Sequence, residues 1–199
     1  MRFLIVFLLV LLPSVVWAVD VAPKEAKAVF AGGCFWSMQK AFDGKKGVLD
    51  TKVGFSGGTI SNPSYMRVGE GDTGHYEAVE VTYDPTKISY DKLLNIYWHN
   101  IDPVDAEGQF CDKGFRYRTV IFYGTAEEKQ KAEDSKMLME ADDERFGGRA
   151  IATQILPKMP FYAAEEYHQR YYKKNPLRYD FYRGRCGQDL RLNEIWGKR

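Results

Sequence analysis

Apolar residues along this chain recur with two periods, two and about 3.6, and the switches between them lay out strands and helices. The run Ala28-Val29-Phe30-Ala31 predicts a first strand, and Phe35, Met38 and Phe42 behind it share one face of a helix running to Asp43-Gly44. Residues 48–55 read as a second strand. From 56 to 74 the apolar period vanishes into Gly, Ser, Asn and Pro with Tyr65 and Val68 among them, a long loop of the kind that tends to carry function. Glu77-Ala78-Val79-Glu80-Val81-Thr82-Tyr83 alternates cleanly and predicts a third strand. Asp84-Pro85 turns the chain, Ser89 can cap, and Tyr90, Leu93, Leu94, Tyr97 and Trp98 fall on one helical face. A second long loop covers 100–116, and 117–123 is a strand. Thr125 with Glu128 forms a capping box for a charged helix to about Arg145, stopped by Phe146-Gly147-Gly148. Residues 150–156 predict another strand, 163–174 an aromatic-rich helix, and 177–199 an irregular tail. Up to Tyr123 the order is strand, helix, strand, strand, helix, strand, the split βαβ order of a ferredoxin-like, two-layer α+β sandwich. The later strand, helices and tail extend or cover that sheet.

The start of the chain is different in kind. Residues 3–17 are almost wholly apolar, follow Arg2 and close on Val16-Trp17-Ala18, whose small residues suit signal-peptidase cleavage. The apolar run is shorter than the ~20 residues of a spanning helix. We therefore expect residues 1–18 to be a secretory leader, 19–27 a linker and 28–199 one domain, exported to a periplasmic or extracellular space without stable membrane association after cleavage. At 199 residues the chain suits one full core rather than two. Losing the leader removes one of 28 basic side chains and none of the 27 acidic ones, so the remainder carries no net charge. No basic patch points to nucleic acid. The cysteines are Cys34, Cys111 and Cys186, an odd number where disulfides form, so at least one thiol is left for chemistry. No Cys-x-x-Cys or His-x-x-x-His spacing favours a structural metal, and no cofactor is expected.

Two positions stand out chemically. Cys34, after Gly32-Gly33, sits where the first strand becomes a helix; unpaired N–H groups and partial positive charge there favour thiolate over thiol. A cysteine that merely fills space is the alternative. Glu77 shares a strand face with Val79, Val81 and Tyr83, which raises its pKa toward that of a neutral-pH proton donor unless, as the first strand residue, it bends out to solvent.

These residues lie within a set of motifs that resembles the methionine sulfoxide reductase A family: Gly33-Cys34-Phe35-Trp36, Gly54-Phe55-Ser56-Gly57-Gly58, Asn62-Pro63-Ser64-Tyr65, Gly71-Asp72-Thr73-Gly74-His75-Tyr76-Glu77, Tyr83-Asp84-Pro85 and Asp112-Lys113-Gly114-Phe115-Arg116-Tyr117-Arg118, in order over residues 29–172. The resemblance implies that Cys34 is the nucleophile and becomes a sulfenic acid, and that Glu77 donates a proton to the sulfoxide oxygen. It further implies that Tyr65 and Tyr117 hold that oxygen, that Asp112 orders the site, and that Phe35 and Trp36 form the wall for the substrate methyl. The implied substrate is the S epimer of methionine sulfoxide, free or in proteins, and the implied partner a thioredoxin-like reductant of a disulfide. His75 and His168 are assigned to packing. The chain departs from the best-known family pattern in having Cys111 beside Asp112 and one cysteine in the tail. Cys186 is our resolving candidate and Cys111 its rival, with a structural Cys111–Cys186 bridge that leaves Cys34 to be reduced directly as a third arrangement. A thiol enzyme of other chemistry and a non-catalytic thiol sensor are the alternative functional classes.

Overall fold

The computed structural model describes residues 25–198; the expected leader at 1–18 lies outside the described residues. The first strand, β1 (Ala26–Gly32), starts inside the stretch expected as linker. It leads to helix α1 (Phe35–Phe42), strand β2 (Val48–Ser56), a short helix α2 (Tyr65–Gly69), strand β3 (Tyr76–Tyr83) and helix α3 (Tyr90–Trp98). The two-residue strands β4 (Gly108–Gln109) and β5 (Asp112–Lys113) follow, then β6 (Thr119–Tyr123), helices α4 (Ala126–Glu140) and α5 (Asp143–Phe146), and strand β7 (Gln154–Pro157). Strand β8 (Tyr162–Ala163) and helices α6 (Tyr171–Lys174), α7 (Pro176–Arg185) and α8 (Gln188–Trp196) complete the chain.

The main sheet has the order β7-β6-β1-β3-β2-β8. Its centre, β6-β1-β3-β2, is antiparallel and carries the strand order of the ferredoxin-like sandwich; β7 adds parallel to β6, and β8 antiparallel to β2. Alternation divides the faces. Ala28, Phe30, Val79, Val81 and Ile121 pack with Met38 and Phe42 of α1 and Leu93, Leu94 and Tyr97 of α3. The intervening Val29, Ala31, Ala78, Val120 and Phe122 form a smaller cluster on the other face. Phe30 sits at the middle of the larger core, its ring 5.2 Å from those of Phe42 and Tyr97 and 6.2 Å from Tyr90.

Several boundaries differ from the sequence reading, each for a local reason. The loop expected at 56–74 contains α2, because Ser64 caps a single turn by accepting the Arg67 N–H. The loop expected at 100–116 contains the β4–β5 hairpin, turned by Phe110 with φ +53°. The strand expected from 117 begins at Thr119, since Phe115–Tyr117 is a 3₁₀ turn. The strand expected at 150–156 shrinks to β7. The helix expected at 163–174 is broken into β8, a 3₁₀ turn at Glu166–His168 and α6, since Arg170 adopts a left-handed conformation with φ +52°. Gln169 meanwhile spends its side chain on the backbone of Val53 and Ala164. Residues expected to be an irregular tail form α7 and α8, split at Gly187 (φ +63°) and anchored by buried Tyr179, Leu192 and Ile195.

Replacing Phe30 with Ala empties the centre of the larger cluster. We expect a loss of about 3–5 kcal/mol, read by urea unfolding.

Candidate active site

The nucleophile's position follows from β1 and the two glycines behind it. Gly33 has φ +81°, and a Cβ there would stand 2.5 Å from the Cβ of Gln109, so only glycine allows the chain to turn under the β4 strand. Gln109 is fully buried and locked, donating to the carbonyls of Asp102 and Gly108 and accepting from the Asp102 N–H. Cys34 then stands as the N-cap residue of α1, as read from the sequence, and it is the free thiol of the chain.

Glu77 is brought in from β3. It is 1% exposed and shares the helix-facing side of the strand with Val79 and Val81, so it does not bend out to solvent. The Phe35 N–H donates to Glu77 Oε2 at 3.2 Å, tying the strand to the start of α1. Oε1 has no hydrogen-bond partner and lies 3.9 Å from the Arg116 guanidinium. Burial is the main force on this carboxyl and pushes its pKa up to about 8; the Phe35 N–H and Arg116 oppose the rise, and Asp112 adds to it.

Around these two groups lies a cavity of about 80 Å³ lined by Cys34, Phe35, Trp36, Tyr65, Glu77, Asp112, Tyr117 and Tyr182. All six residues expected beside the nucleophile as acid, hydroxyl donors, ordering carboxylate and aromatic wall are thus assembled. Tyr65 opens α2, its phenol pushed up to about 12 mainly by burial and by the charge of Glu77. Tyr117 closes the 3₁₀ turn before β6, and burial again raises its pKa. Arg116 lies over both phenol rings, 5.5 Å from that of Tyr65 and 4.7 Å from that of Tyr117. Asp112 comes from β5, and burial raises it above the ordinary carboxylate range although Tyr182 donates to it.

The wall is braced from behind. Phe35 packs on Phe55, Tyr65 and His168, with ring centroids 5.9, 6.1 and 5.1 Å away. Trp36 stacks on Tyr171 at 3.8 Å and donates its indole N–H to His168 Nδ1 at 3.1 Å. His168, lowered in pKa chiefly by burial, therefore holds the wall, a structural part as expected. His75 does likewise elsewhere: its Nδ1 accepts the Gly58 N–H, and its Nε2 bonds the Ile60 carbonyl at 2.8 Å.

The expectation of a thiolate at the helix start is corrected by the surroundings. Burial raises the Cys34 pKa above that of a free thiol, and the nearby carboxyls of Glu77 and Asp112 raise it further, outweighing the Tyr182 hydroxyl and the Trp36 backbone N–H that favour the anion. The thiol therefore keeps its proton at neutral pH.

Cys111 and Cys186 are joined as a disulfide, with Cα atoms 4.8 Å apart. This is the bridge of the third arrangement left open by the sequence, and Cys34 is joined to neither rival. Cys111, Asp112 and Cys186 cluster within 4.8 Å in the manner of a ligand set, but the two sulfurs are spent on each other and offer no thiolate to a metal. Sequence reasoning passed over two site residues. Arg116 lies inside a quoted motif without an assigned role. Tyr182 lay in the supposed irregular tail, where the spacing of Tyr179, Tyr182 and Cys186 was the available sign that one helical face carries all three.

Comparison with known proteins agrees with this geometry. The family model described as peptide methionine sulfoxide reductase matches residues 26–199. The peptide methionine sulfoxide reductase MsrA of Bacillus licheniformis is 47% identical over 178 residues, covering 89% of this chain and 97% of the relative. MsrA 2 of Caulobacter vibrioides is 47% identical over 180 residues, covering 88% of each. Among solved structures, methionine sulfoxide reductase A of Corynebacterium diphtheriae superposes with a TM-score of 0.74 at 34% identity, covering 78% of this chain and 77% of that one. Mxr1 of Saccharomyces cerevisiae in reduced form gives 0.72 at 32%, covering 80% and 91%. With the family model matching residues 26–199 and relatives 47% identical over most of its length, this chain belongs to the peptide methionine sulfoxide reductase family.

Proposed function

We propose that the protein is a peptide-methionine (S)-S-oxide reductase that repairs oxidised methionine in exported proteins. The observation that carries this reading is the one small cavity in which a cysteine sulfur, an un-ionised buried carboxyl and two tyrosine hydroxyls face an aromatic wall. A thioether methyl fits against Phe35 and Trp36. The sulfoxide oxygen then lies toward Tyr65, Tyr117 and Glu77 Oε1, the carboxyl oxygen left without a partner. Cys34, once deprotonated, attacks the sulfoxide sulfur while Glu77 gives a proton to the oxygen. The S–O bond breaks, the hydroxyl passes to the cysteine sulfur, and methionine leaves Cys34 as a sulfenic acid.

Return to the thiol needs two electrons from a dithiol. In our reading the reduced Cys186 thiol displaces water from the sulfenic acid to form Cys34–Cys186, and Cys111 exchanges into it, freeing Cys34 and leaving the Cys111–Cys186 bridge. Cys111 is exposed, which suits reduction of that bridge by a thioredoxin-like dithiol. The leader pattern at residues 1–18 supports action outside the cytoplasm, where such a partner must be supplied by an exported reductant. A bare thiol sensor would have no use for the converging tyrosines and carboxyl.

Cys34→Ser is expected to abolish reduction of a methionine sulfoxide peptide, and wild type to consume only the S epimer; turnover by Cys34→Ser ends the proposal. Peptide mapping after one equivalent of substrate, with no reductant, is expected to show the oxidation on the Cys111–Cys186 pair, and a Cys34–Cys111 crosslink would make Cys111 the resolving thiol.

Glu77 supplies a second test with opposite signs for activity and stability. Its carboxyl ionises at 4.5 when unperturbed and at about 8 when folded. Between those values the folded state holds the extra proton, so stability falls as pH rises through the interval. Glu77→Gln removes that penalty while deleting the acid. We expect its thermal midpoint to equal or exceed that of wild type, with the gap widening from pH 5 to pH 8, and its rate to fall by about 10²–10⁴.

A further inference from the structure

Arg116 stands beside the acid and has no part in the chemistry set out above. Its Nε lies 3.9 Å from Glu77 Oε1, the carboxyl oxygen without a hydrogen-bond partner, and its side chain is 23% exposed. Three contacts fix it there. The guanidinium lies over the rings of Tyr117 and Tyr65, 4.7 and 5.5 Å from their centres. It reaches the end of α2 because Gly69 carries no side chain: a Cβ there would stand 2.7 Å from Arg116 Nη1. Its neighbour Phe115 packs on Tyr76 at 4.5 Å, so two successive residues of the 3₁₀ turn meet two successive residues of β3, Tyr76 and Glu77.

No other group around the carboxyl can do what this one does. Cys34 and the Phe35 N–H approach from α1, Tyr65 from α2, Asp112 from β5, Tyr117 from the 3₁₀ turn and Tyr182 from α7. Of the flanking strands, β1 ends in Gly32 and β2 sets Phe55 opposite Glu77. Each of these groups is neutral or acidic, and Arg116 is the cation among them. A cation within about 4–6 Å favours the ionised form of a carboxyl, whereas burial disfavours it, so distance decides which prevails. Here burial prevails, and Arg116 opposes it only in part.

We propose that Arg116 is a positioning residue for the proton donor: its guanidinium sets how readily Glu77 releases its proton, standing near enough to steady the carboxylate that forms and too far to hold the carboxyl ionised beforehand. The inference rests on Glu77 being the acid of the sulfoxide reaction. In that step the Oε1–H bond breaks, the proton goes to the sulfoxide oxygen, and the electron pair stays on Glu77 as a carboxylate. Arg116 neither gains nor loses a proton and touches no substrate atom. It acts through the charge that it places 3.9 Å from Oε1.

The test uses the full protein as wild type, Arg116→Gln and Arg116→Lys, each also combined with Glu77→Gln. The infrared absorption of a protonated carboxyl, taken as the difference between each protein and its Glu77→Gln counterpart, follows the Glu77 proton directly. Single-turnover methionine formation from a methionine sulfoxide peptide is measured over the same pH range. We expect the wild-type band to be lost near pH 8 and that of Arg116→Gln about one unit higher, the low end of what a cation at this distance does, because the guanidinium is partly exposed. Arg116→Lys keeps the charge without the planar fork over two rings, and its band should be lost between those two values. The wild-type rate should rise with pH as Cys34 ionises and level off where Glu77 loses its proton. In Arg116→Gln that break moves up with the band, and the rate at pH 7 falls about three- to tenfold. With Glu77→Gln already in place, Arg116→Gln should slow the reaction by less than about twofold, because its effect runs through the carboxyl. A band and a break that stay at the wild-type pH in Arg116→Gln, or an equal loss of rate with and without the Glu77 carboxyl, overturn the proposal. Should Arg116→Gln not fold, the Arg116→Lys band decides, an unmoved midpoint counting against it. Wild type that loses its band near pH 8 but reduces no sulfoxide would sink the functional reading, and the infrared comparison would then judge the coupling of Arg116 to Glu77.

Discussion

The hydrogen bond from the Phe35 backbone N–H to Glu77 Oε2 is the tie on which the site depends. It joins the first residue of α1 to the second residue of β3, so the Glu77 carboxyl is fixed by a main-chain donor next to Cys34. The same bond occupies one carboxyl oxygen and leaves the other facing the cavity. Burying such a group opposes folding when it is ionised, and the fold accepts the cost by keeping it protonated near neutral pH. The proton donor we propose and a residue that weakens the fold are here one and the same group.

What makes that cost tolerable is the bracing of everything around it. The long loop between α3 and β6 is held from both ends, by Gln109 under Gly33 and by Asp102, whose carboxylate takes Arg191 of α8 at 2.7 Å. The last two helices are pinned to the nucleophile helix through Ser37, whose hydroxyl bonds Gln188 at 2.9 Å and the Tyr179 hydroxyl at 3.2 Å. The Cys111–Cys186 bridge closes the same loop onto the end of α7. A segment distant in sequence thereby becomes part of the wall, with Tyr182 lining the same cavity as Cys34 and Tyr171 under Trp36.

How far the sequence revealed this follows from the range of each signal. The strand bearing Glu77 was legible because alternation is a local pattern, and β3, a central strand between β1 and β2, is buried enough to enforce it. Cys34 at a strand-to-helix switch was legible because Gly32-Gly33 marks the turn. The charge state of Cys34 was not legible. It depends on the burial supplied by α7 and on Glu77, 43 positions along, whereas the sequence shows only the helix start. The tail misled for a related reason: α7 and α8 are short, rich in Arg, Asp and Tyr, and gain their order from Ser37, Asp102 and Cys111, none of which is nearby in sequence. Tyr182 was hidden with them.

The electrostatics of the cavity show why a single cation is placed where it is. Cys34, Glu77 and Asp112 are all raised above their ordinary values, chiefly by burial and in part by one another, so the site resists accumulating negative charge. A guanidinium in bidentate contact with Glu77 would undo this by ionising the acid before substrate arrives. Arg116 instead stands 3.9 Å from Oε1 and spreads its charge over the rings of Tyr65 and Tyr117. At that distance it restrains the rise of Glu77 without cancelling it, leaving the carboxyl protonated at neutral pH yet able to part with its proton when an oxygen gains negative charge beside it. In the proposed reaction, Arg116 stands 3.9 Å from the carboxylate that forms as that proton leaves. The site is therefore neutral before reaction and complementary to charge during it, which is the condition for stabilising a transition state more than a ground state.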